Sequence, residues 1–159
     1  LKGGKLDKEW IEWYSNGQMM SKKNYIDGIK NGNSVMWYEN GQKKYERTYK
    51  DGKEDGLWTG WYENGQKKYE ETLDGLLTNW YENGKKKYEG TFKDGKNDGL
   101  STWWYENGQK KEEITYKDGE IEGLWTDWYD NGQKKWEGTL DELIDRKIMK
   151  KVTELFESD

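Results

Sequence analysis

Aromatic and polar positions alternate along most of the chain in a pattern that recurs six times. The unit from Leu57 to Leu73 reads LWTGWYENGQKKYEETL, in which two aromatic-rich runs flank an Asn-Gly dipeptide. Asn-Gly between alternating runs is a strong hairpin signal, because both central residues of a two-residue type I′ turn need positive φ. The pattern therefore predicts one β-hairpin in each unit.

The units follow one another at a regular interval. The glycines that close the WYENG blocks are 24, 24, 19, 24 and 24 residues apart, and they are Gly17, Gly41, Gly65, Gly84, Gly108 and Gly132. A fixed period of this size is typical of repeat proteins. Second turns such as DGKEDG, from Asp51 to Gly56, connect successive hairpins. The fourth unit is shorter, and its missing residues fall in this turn.

These features predict an all-β fold. We expect an elongated single-layer antiparallel meander of about six β-hairpin repeats, followed by one C-terminal α-helix. The first unit departs from the consensus, as terminal repeats that act as caps often do. We assign residues 1–139 to the repeat ribbon, with its fourth unit shortened, and residues 140–159 to the helical segment.

The helix is predicted from a change of period after the last hairpin. Apolar residues fall at helical spacing at Leu140, Leu143, Ile144, Ile148, Val152, Leu155 and Phe156. Thr139 followed by Glu142 matches a capping box that opens the helix. We predict an amphipathic helix from Leu140 to Phe156 that covers the edge of the last strand or part of one face of the sheet. The alternative is a helix that binds a partner chain.

The two faces of the sheet depend on the length of the hairpin loop. A two-residue loop at Asn64 and Gly65 pairs Trp61 with Lys68 and Gly60 with Tyr69. One face then carries Leu57, Thr59, Trp61, Lys68, Glu70 and Thr72, and the other carries Trp58, Gly60, Tyr62, Lys67, Tyr69, Glu71 and Leu73. A loop that is one residue longer exchanges these assignments.

Composition argues against a large globular core. Hydrophobic residues make up 31% of the chain and charged residues 37%, but the 16% of aromatic residues recur in register and so favour an ordered repeat over disorder. The net charge is −5, of which −3 lies in the segment from Glu137 onward. The remaining, nearly neutral body argues against nucleic-acid binding.

Catalytic chemistry finds little support in the residue types. The chain has no histidine and no cysteine, and its serines lie in no nucleophile motif. Glutamates such as Glu63 recur identically before each turn, which a structural repeat explains. Asp51 and Asp55 lack the ligand spacing of a calcium loop. We therefore expect a protein that is not an enzyme and that has no catalytic residues, no metal site and no cofactor.

Localisation stays open at this point. No apolar stretch reaches the roughly 20 residues of a transmembrane helix, and the start LKGGKLDKEW lacks the apolar region of a signal peptide. We expect a soluble protein that is either cytoplasmic or exported with a leader that precedes Leu1.

The unit YEGTFKDGKNDGLSTWWYENGQKK, from Tyr88 to Lys111, resembles the bacterial variant of the MORN repeat. The matching elements are YEG, the DGK turn from Asp94, the second turn glycine Gly99 and the WYENG block. The resemblance covers nearly the whole chain before the helix. It implies hairpin ribbons that serve as protein-interaction or assembly scaffolds, with lipid binding proposed for some members, and it implies similarity to antitoxin-like proteins, for which the partner is a toxin.

The aromatic residues of the WYENG blocks are our candidates for partner binding, because a single-layer sheet leaves one aromatic stripe accessible. They are Trp37, Tyr38, Trp61, Tyr62, Trp80, Tyr81, Trp104, Tyr105, Trp128 and Tyr129. The alternative interpretation is purely structural: each of these residues only stabilises the sheet. We expect an unidentified protein partner, with glycan binding through these rings as an alternative.

A row of lysine pairs beside the hairpin tips offers another alternative, binding to anionic lipid or a membrane surface. The pairs are Lys22/Lys23, Lys43/Lys44, Lys67/Lys68, Lys86/Lys87, Lys110/Lys111 and Lys134/Lys135. We favour the simpler interpretation, in which Lys68 pairs with Glu70 and Glu63 on a solvated surface.

Overall fold

The described part of the chain consists of short antiparallel strands and one helix. The computed structural model describes the backbone of residues 8–156 and the side chains of residues 8–150. Its elements are β1 (Lys8–Trp13), β2 (Met19–Ile26), β3 (Ile29–Trp37), β4 (Lys43–Lys50), β5 (Lys53–Glu54), β6 (Trp58–Trp61), β7 (Lys67–Glu71), β8 (Leu76–Trp80), β9 (Lys86–Lys93), β10 (Lys96–Asn97), β11 (Gly99–Trp104), β12 (Lys110–Lys117), β13 (Glu120–Trp128), β14 (Lys134–Gly138) and α1 (Leu140–Phe156).

The strands form a meander in each of two units, residues 1–86 and residues 87–159. In the first unit they pair in the order β1-β2-β3-β4-β6-β7-β8, and β5 pairs with β4. In the second unit the order is β9-β11-β12-β13-β14, and β10 pairs with β9. The predicted fold class, an all-β antiparallel meander of hairpins with one C-terminal helix, is confirmed. The assignment of residues 1–139 and 140–159 to separate segments stays a prediction.

The Asn-Gly loops do not have the predicted conformation. Gly65 has a φ of +82°, but Asn64 does not have positive φ. The Tyr62 amide donates to the Gln66 carbonyl at 2.9 Å, and the Gly65 amide donates to the Tyr62 carbonyl at 3.0 Å. This is a three-residue loop in which a turn is followed by a left-handed glycine and a bulge. The two-residue type I′ assignment was therefore wrong.

Among the described residues, the type I′ geometry occurs instead at four Asp-Gly dipeptides. Asp51 and Gly52 have φ values of +50° and +80°, and they join Lys50 to Lys53, which pair directly. Asp tolerates the left-handed region better than most residues, and Gly adopts it without strain. The same combination of positive φ values occurs at Asp27, Asp94 and Asp118 with the glycines that follow them.

The bulge exchanges the two lysines between the faces of the sheet. Trp58, Thr59 and Gly60 pair as predicted with Glu71, Glu70 and Tyr69, but Trp61 pairs with Lys67 and not with Lys68. We name the face that carries Thr59, Trp61, Lys67, Glu70 and their equivalents the Trp face. The opposite face, with Trp58, Gly60, Tyr62, Lys68, Tyr69 and their equivalents, is the Tyr face.

The buried positions of the sheet are mostly small hydroxyl residues. Thr59 is buried on the Trp face and pairs with Glu46 on one side and Glu70 on the other. Thr102 and Thr126 repeat this arrangement and donate to Glu113 and Glu137. A single layer has no second sheet to pack against, so long side chains of neighbouring strands bury small central residues. Within the described side chains, the buried apolar residues are Val35, Tyr88 and Ile114.

The helix begins and ends where the sequence predicts. The Glu142 carboxylate accepts from the Thr139 amide at 2.7 Å, and the Glu142 amide donates to the Thr139 hydroxyl at 3.4 Å, which confirms the capping box. The helix contacts β13. However, Ile144 and Ile148 are exposed, and Leu143 is half-buried. Of the predicted apolar stripe, Ile144 and Ile148 therefore do not pack against the sheet, and the side chains of Val152, Leu155 and Phe156 lie outside the described residues.

Candidate binding surfaces

Tryptophans of the WYENG blocks lie half-buried on the Trp face. In the first unit they are Trp37, Trp61 and Trp80, and in the second unit Trp104 and Trp128. A lysine of the preceding hairpin lies over the ring: Lys43 is 5.5 Å from the Trp61 centroid, and Lys110 is 5.6 Å from the Trp128 centroid. Cation–π contacts of this kind favour a lysine over an aromatic face.

The same lysines are paired with carboxylates. Lys43 contacts Glu46 at 2.7 Å, Lys110 contacts Glu113 at 2.5 Å, and Lys67 contacts Glu70. The predicted pairing of Lys68 with Glu70 is thus wrong, because the loop bulge places Lys67 on that face. Charge on the Trp face is largely compensated within each hairpin.

Tyrosines of the WYENG blocks reach from one hairpin into the next. The Tyr38 hydroxyl donates to the Trp61 carbonyl at 2.8 Å, and the Tyr62 hydroxyl donates to the Trp80 carbonyl at 2.8 Å. In the second unit, Tyr105 donates to the Trp128 carbonyl at 2.9 Å. Burial raises the pKa of both Tyr38 and Tyr62, and the neighbouring glutamates add to this. Tyr81, which is half-buried, also has a partner.

The loop asparagines add a second bond between hairpins. The Asn40 side-chain amide donates to the Glu63 carbonyl at 2.8 Å, and its oxygen accepts from the Gln42 amide at 2.9 Å. Asn64 and Asn107 make the corresponding bonds to Glu82 and Asp130. The asparagine is therefore required for stacking and for loop closure rather than for a positive φ.

The second lysine of each pair lies on the Tyr face beside a tyrosine ring. Lys68 is 5.4 Å from the Tyr62 centroid, and Lys111 is 5.7 Å from the Tyr105 centroid. Lys22 and Lys23 do not belong to this row, because they lie in the middle of β2 and pair with Glu9 and Glu12. Met19 and Met20 occupy the corresponding positions of the first hairpin.

Each unit has a concave region on the Tyr face of its described residues. In the first unit a shallow cavity of about 440 Å³ is lined by Tyr38, Tyr62, Glu63, Asn64, Lys68 and Glu82. In the second unit a groove of about 470 Å³ separates α1 from the last hairpin. We call this second region the helix groove.

The helix groove combines aromatic and basic side chains. The sheet contributes Trp125, Asp127, Tyr129, Lys135 and Trp136, and the helix contributes Leu143, Arg146, Lys147 and Lys150. The Trp125 and Trp136 rings meet edge to face at 5.8 Å. The Trp125 indole donates to the Asp127 carboxylate at 3.1 Å, so the acid of the groove already has a partner. Four cations and one anion leave the groove strongly basic.

A pair of carboxylates lies next to this groove. Glu112 and Asp127 are direct cross-strand partners on β12 and β13. Burial raises the pKa of Glu112, and the charge of Asp127 raises it further. The arrangement stabilises the protonated form of Glu112 relative to an exposed glutamate.

The sequence was then compared with protein-family models. The model described as the MORN repeat variant matches residues 6–27, 30–51, 54–72, 73–94 and 97–118, which is most of the chain. The chain belongs to the MORN repeat variant family. MORN repeats are associated with membrane-binding or protein-binding modules and form a non-catalytic repeat. The hairpin of β13 and β14 and the helix lie beyond the matched MORN repeats. None of the curated proteins searched matches the chain.

Within the described residues of this MORN chain, no set of three or more acidic side chains is arranged to hold a metal ion. Asp98, in the turn equivalent to that of Asp55, pairs with Lys117 at 3.3 Å. No helix in the same residues has the length and apolar character to cross a membrane.

The structure thus separates the predicted site residues into rows. The tryptophans lie on the Trp face and the tyrosines point along the hairpin tips, and in the central MORN hairpins both are engaged by neighbouring hairpins. Tyr129 also lines the helix groove. Sequence reasoning missed Trp125, Trp136 and Arg146, because the two tryptophans lie outside the WYENG blocks and the arginine lies outside the apolar stripe of the helix.

Proposed function

We propose that this chain is a non-catalytic protein-binding module. The observation that supports this best is the helix groove, where two tryptophans, a tyrosine and an arginine surround a cavity of about 470 Å³. Trp, Tyr and Arg are the residue types that contribute most to binding energy at protein interfaces. A cavity of this volume accommodates a few anchoring side chains of a partner.

The positive charge of the groove favours a partner that carries negative charge. Lys135, Arg146, Lys147 and Lys150 outnumber Asp127, although the chain as a whole has a net charge of −5. An acidic segment with an aromatic or aliphatic anchor fits this lining, because complementary charge favours the encounter and the rings bind the anchor. The exposed residues Leu140, Ile144 and Ile148 extend the apolar surface along the helix.

The aromatic rows are the second part of the proposed partner surface. They are Trp37, Tyr38, Trp61, Tyr62, Trp80, Tyr81, Trp104, Tyr105, Trp128 and Tyr129, and each keeps part of its side chain accessible. A scaffold role follows if several partner segments bind along the rows. The resemblance to antitoxin-like proteins supports a toxin as the partner.

Charge reversal in the groove tests the proposal. Arg146 and Lys147 are exposed, so a chain with Arg146→Glu and Lys147→Glu is expected to fold normally. Lys50→Glu with Lys53→Glu makes the same change of charge at an exposed turn of the first unit and is the matched control.

The tagged chains are expressed in the cells that produce the protein, and the recovered partner is purified and titrated calorimetrically. We expect the groove variant to bind at least about tenfold more weakly than the wild type and the control. The proposal is wrong if no discrete partner is recovered, or if the groove variant and the control bind with equal affinity.

Binding to an anionic surface is the second candidate function. Lys44, Lys68, Lys111 and Lys135 on the Tyr face have no carboxylate partner among the described side chains, unlike the lysines of the Trp face. Flotation with phosphatidylserine vesicles tests it, and salt-sensitive binding that is lost with Lys68→Gln and Lys111→Gln supports it. Absence of flotation at low salt contradicts it.

A further inference from the structure

The second, third and fifth hairpins each contact the next hairpin of their unit through four side chains of the tip. A tyrosine hydroxyl bonds to the carbonyl of the next tryptophan, an asparagine bonds to the next loop, a glutamine lies against the next loop glycine and a lysine lies over the next tryptophan ring. In the second hairpin these residues are Tyr38, Asn40, Gln42 and Lys43. The residues that receive them are Trp61, Glu63 and Gly65.

Within the described residues, no preceding hairpin covers the receiving surface of the first hairpin. Trp13 is 57% exposed, whereas the equivalent Trp37 and Trp61 are half-buried. A Cβ on Gly17 would meet no atom of the described residues within 4 Å, whereas one on Gly41 would lie 2.9 Å from the Gln18 oxygen. β1 is also the edge strand of its unit.

Among the described residues, no following hairpin receives the tip of the last hairpin. Tyr129 is 50% exposed, and its hydroxyl has no hydrogen-bond partner among the described residues. The Asn131 amide bonds within its own loop to Gln133 at 3.4 Å, and not to a following hairpin. β14 is the other edge strand, in the second unit.

We propose that the last hairpin of one copy stacks on the first hairpin of a second copy, with β14 paired to β1. The repeat pattern specifies the contacts: the Tyr129 hydroxyl to the Trp13 carbonyl of the second copy, the Asn131 amide to its Ser15 carbonyl, and Lys134 over its Trp13 ring. The two surfaces are different and complementary, so the contact is heterologous. It continues the interface that already joins neighbouring hairpins, and it pairs backbone groups that an edge strand leaves open.

Two variants of the full chain block opposite ends. Trp13→Lys places a cation where the incoming Lys134 must lie, and Tyr129→Ala removes the donating ring. Both side chains are exposed, so the fold is expected to survive, which circular dichroism and the thermal midpoint verify. Ile26→Lys is the control, because it removes an apolar side chain of similar exposure (53%) at the opposite end of its hairpin.

Sedimentation velocity over a range of concentrations gives the result. The wild type and Ile26→Lys are expected to associate, and each blocking variant is expected to do so at least about tenfold more weakly. A mixture of the two blocking variants is expected to form a one-to-one dimer and nothing larger, since it retains one intact pair of ends.

A wild-type chain that stays monomeric overturns the proposal. Association of Tyr129→Ala at the wild-type strength overturns it too, because pairing of β1 with another β1 does not need Tyr129. A mixture of the two blocking variants that forms no dimer is equally inconsistent with stacking of unlike ends.

Discussion

One register position of the sheet is occupied by different kinds of residue in two hairpins of this protein. In the first unit, Gly60 lies between Tyr45 and Tyr69. In the second unit, Asp127 lies between Glu112 and Trp136. The Tyr69 ring lies directly on Gly60 and meets Trp58 edge to face at 5.0 Å. At this position the Tyr face therefore carries a glycine covered by an aromatic ring in one hairpin and a carboxylate that lines the basic helix groove in the other.

The Trp face and the tips do not change between the same two regions. Threonine between glutamates, lysine paired with glutamate, and tyrosine bonded to the next tryptophan carbonyl occur in both units. Because these contacts are the same in both units, we infer that they hold the hairpins together. The Tyr face is free to diverge, and in the second unit it contributes to the helix groove.

The largest effect is expected from filling the space above Gly60. A Cβ in Gly60→Ala overlaps the Tyr69 ring, and the displaced ring loses its contact with Trp58. We expect the free energy of unfolding to fall by about 1–3 kcal/mol, as for other overpacked sites. Denaturant unfolding followed by tryptophan fluorescence measures it.

Asn79→Ala is the control for this change, because Asn79 faces Tyr69 from the other neighbouring strand and already carries a Cβ. It is expected to change stability by less than about 0.5 kcal/mol. Equal effects of the two substitutions would show that the close ring contact is not what stabilises this region.

A smaller effect is expected from the tip tyrosines. Tyr62→Phe removes the hydrogen bond to the Trp80 carbonyl and is expected to cost about 0.5–1.5 kcal/mol. Tyr129→Phe removes a hydroxyl that has no partner among the described residues, and in dilute, monomeric protein it is expected to leave stability unchanged. Thermal unfolding compares the two, and identical midpoints would contradict the stacking role of the hydroxyl.

The acidic pair of the second unit predicts a dependence on pH. The pKa of Glu112 is raised in the folded state. Its contribution to the free energy of unfolding is therefore fully present below the ordinary glutamate pKa of about 4.3, and it is lost as pH rises through the raised value. Glu112→Gln is expected to become more stable relative to the wild type as pH rises through this window. Partial solvent access keeps the effect modest.

Glu137→Gln is expected to change the dependence of stability on pH in the opposite direction. The hydrogen bond and charge of Lys134 lower the pKa of Glu137, so its contribution is present above the ordinary pKa and is lost as pH falls through the lowered value. Urea unfolding between about pH 2 and pH 8 measures both variants. A pH-independent difference between Glu112→Gln and the wild type would refute the role of the acidic pair.

The smallest loss of stability is expected from substitutions on the Trp face, which has the same contacts in both units. Lys67→Met and Lys110→Met each remove a lysine that contacts a glutamate and lies over a tryptophan of the next hairpin. Each is expected to cost less than about 1 kcal/mol, because exposed ion pairs are weak. Chemical unfolding at low and high salt checks it, and a large effect in one unit alone would contradict the equivalence of the Trp faces.

Much of the fold follows from local signals in the sequence. The periodic Asn-Gly loops locate the hairpins, and the change of period with Thr139 and Glu142 locates the helix to the residue. The loop conformation did not follow, since Asn-Gly fits both a two-residue and a three-residue loop. Because the longer loop adds a bulge, Lys67 and Lys68 were assigned to the wrong faces.

The candidate site was harder to predict than the fold. The WYENG aromatics were found by their repetition, and the structure gives most of them a neighbour in the next hairpin. The helix groove was not found, because it depends on how α1 lies on β13. The apolar stripe suggested that Ile144 and Ile148 face the sheet, and they are exposed instead.

The sequence by itself determined the repeat, the hairpins, the helix and the absence of a large core, because each depends on residues close together in the chain. The tertiary structure decided what the repeated side chains do. Tyr62 bonds to a carbonyl 18 residues away, and Lys135, Trp136 and Arg146 meet across a groove between a strand and a helix. Such contacts depend on strand register and helix placement, which one bulged residue or one turn of a helix alters.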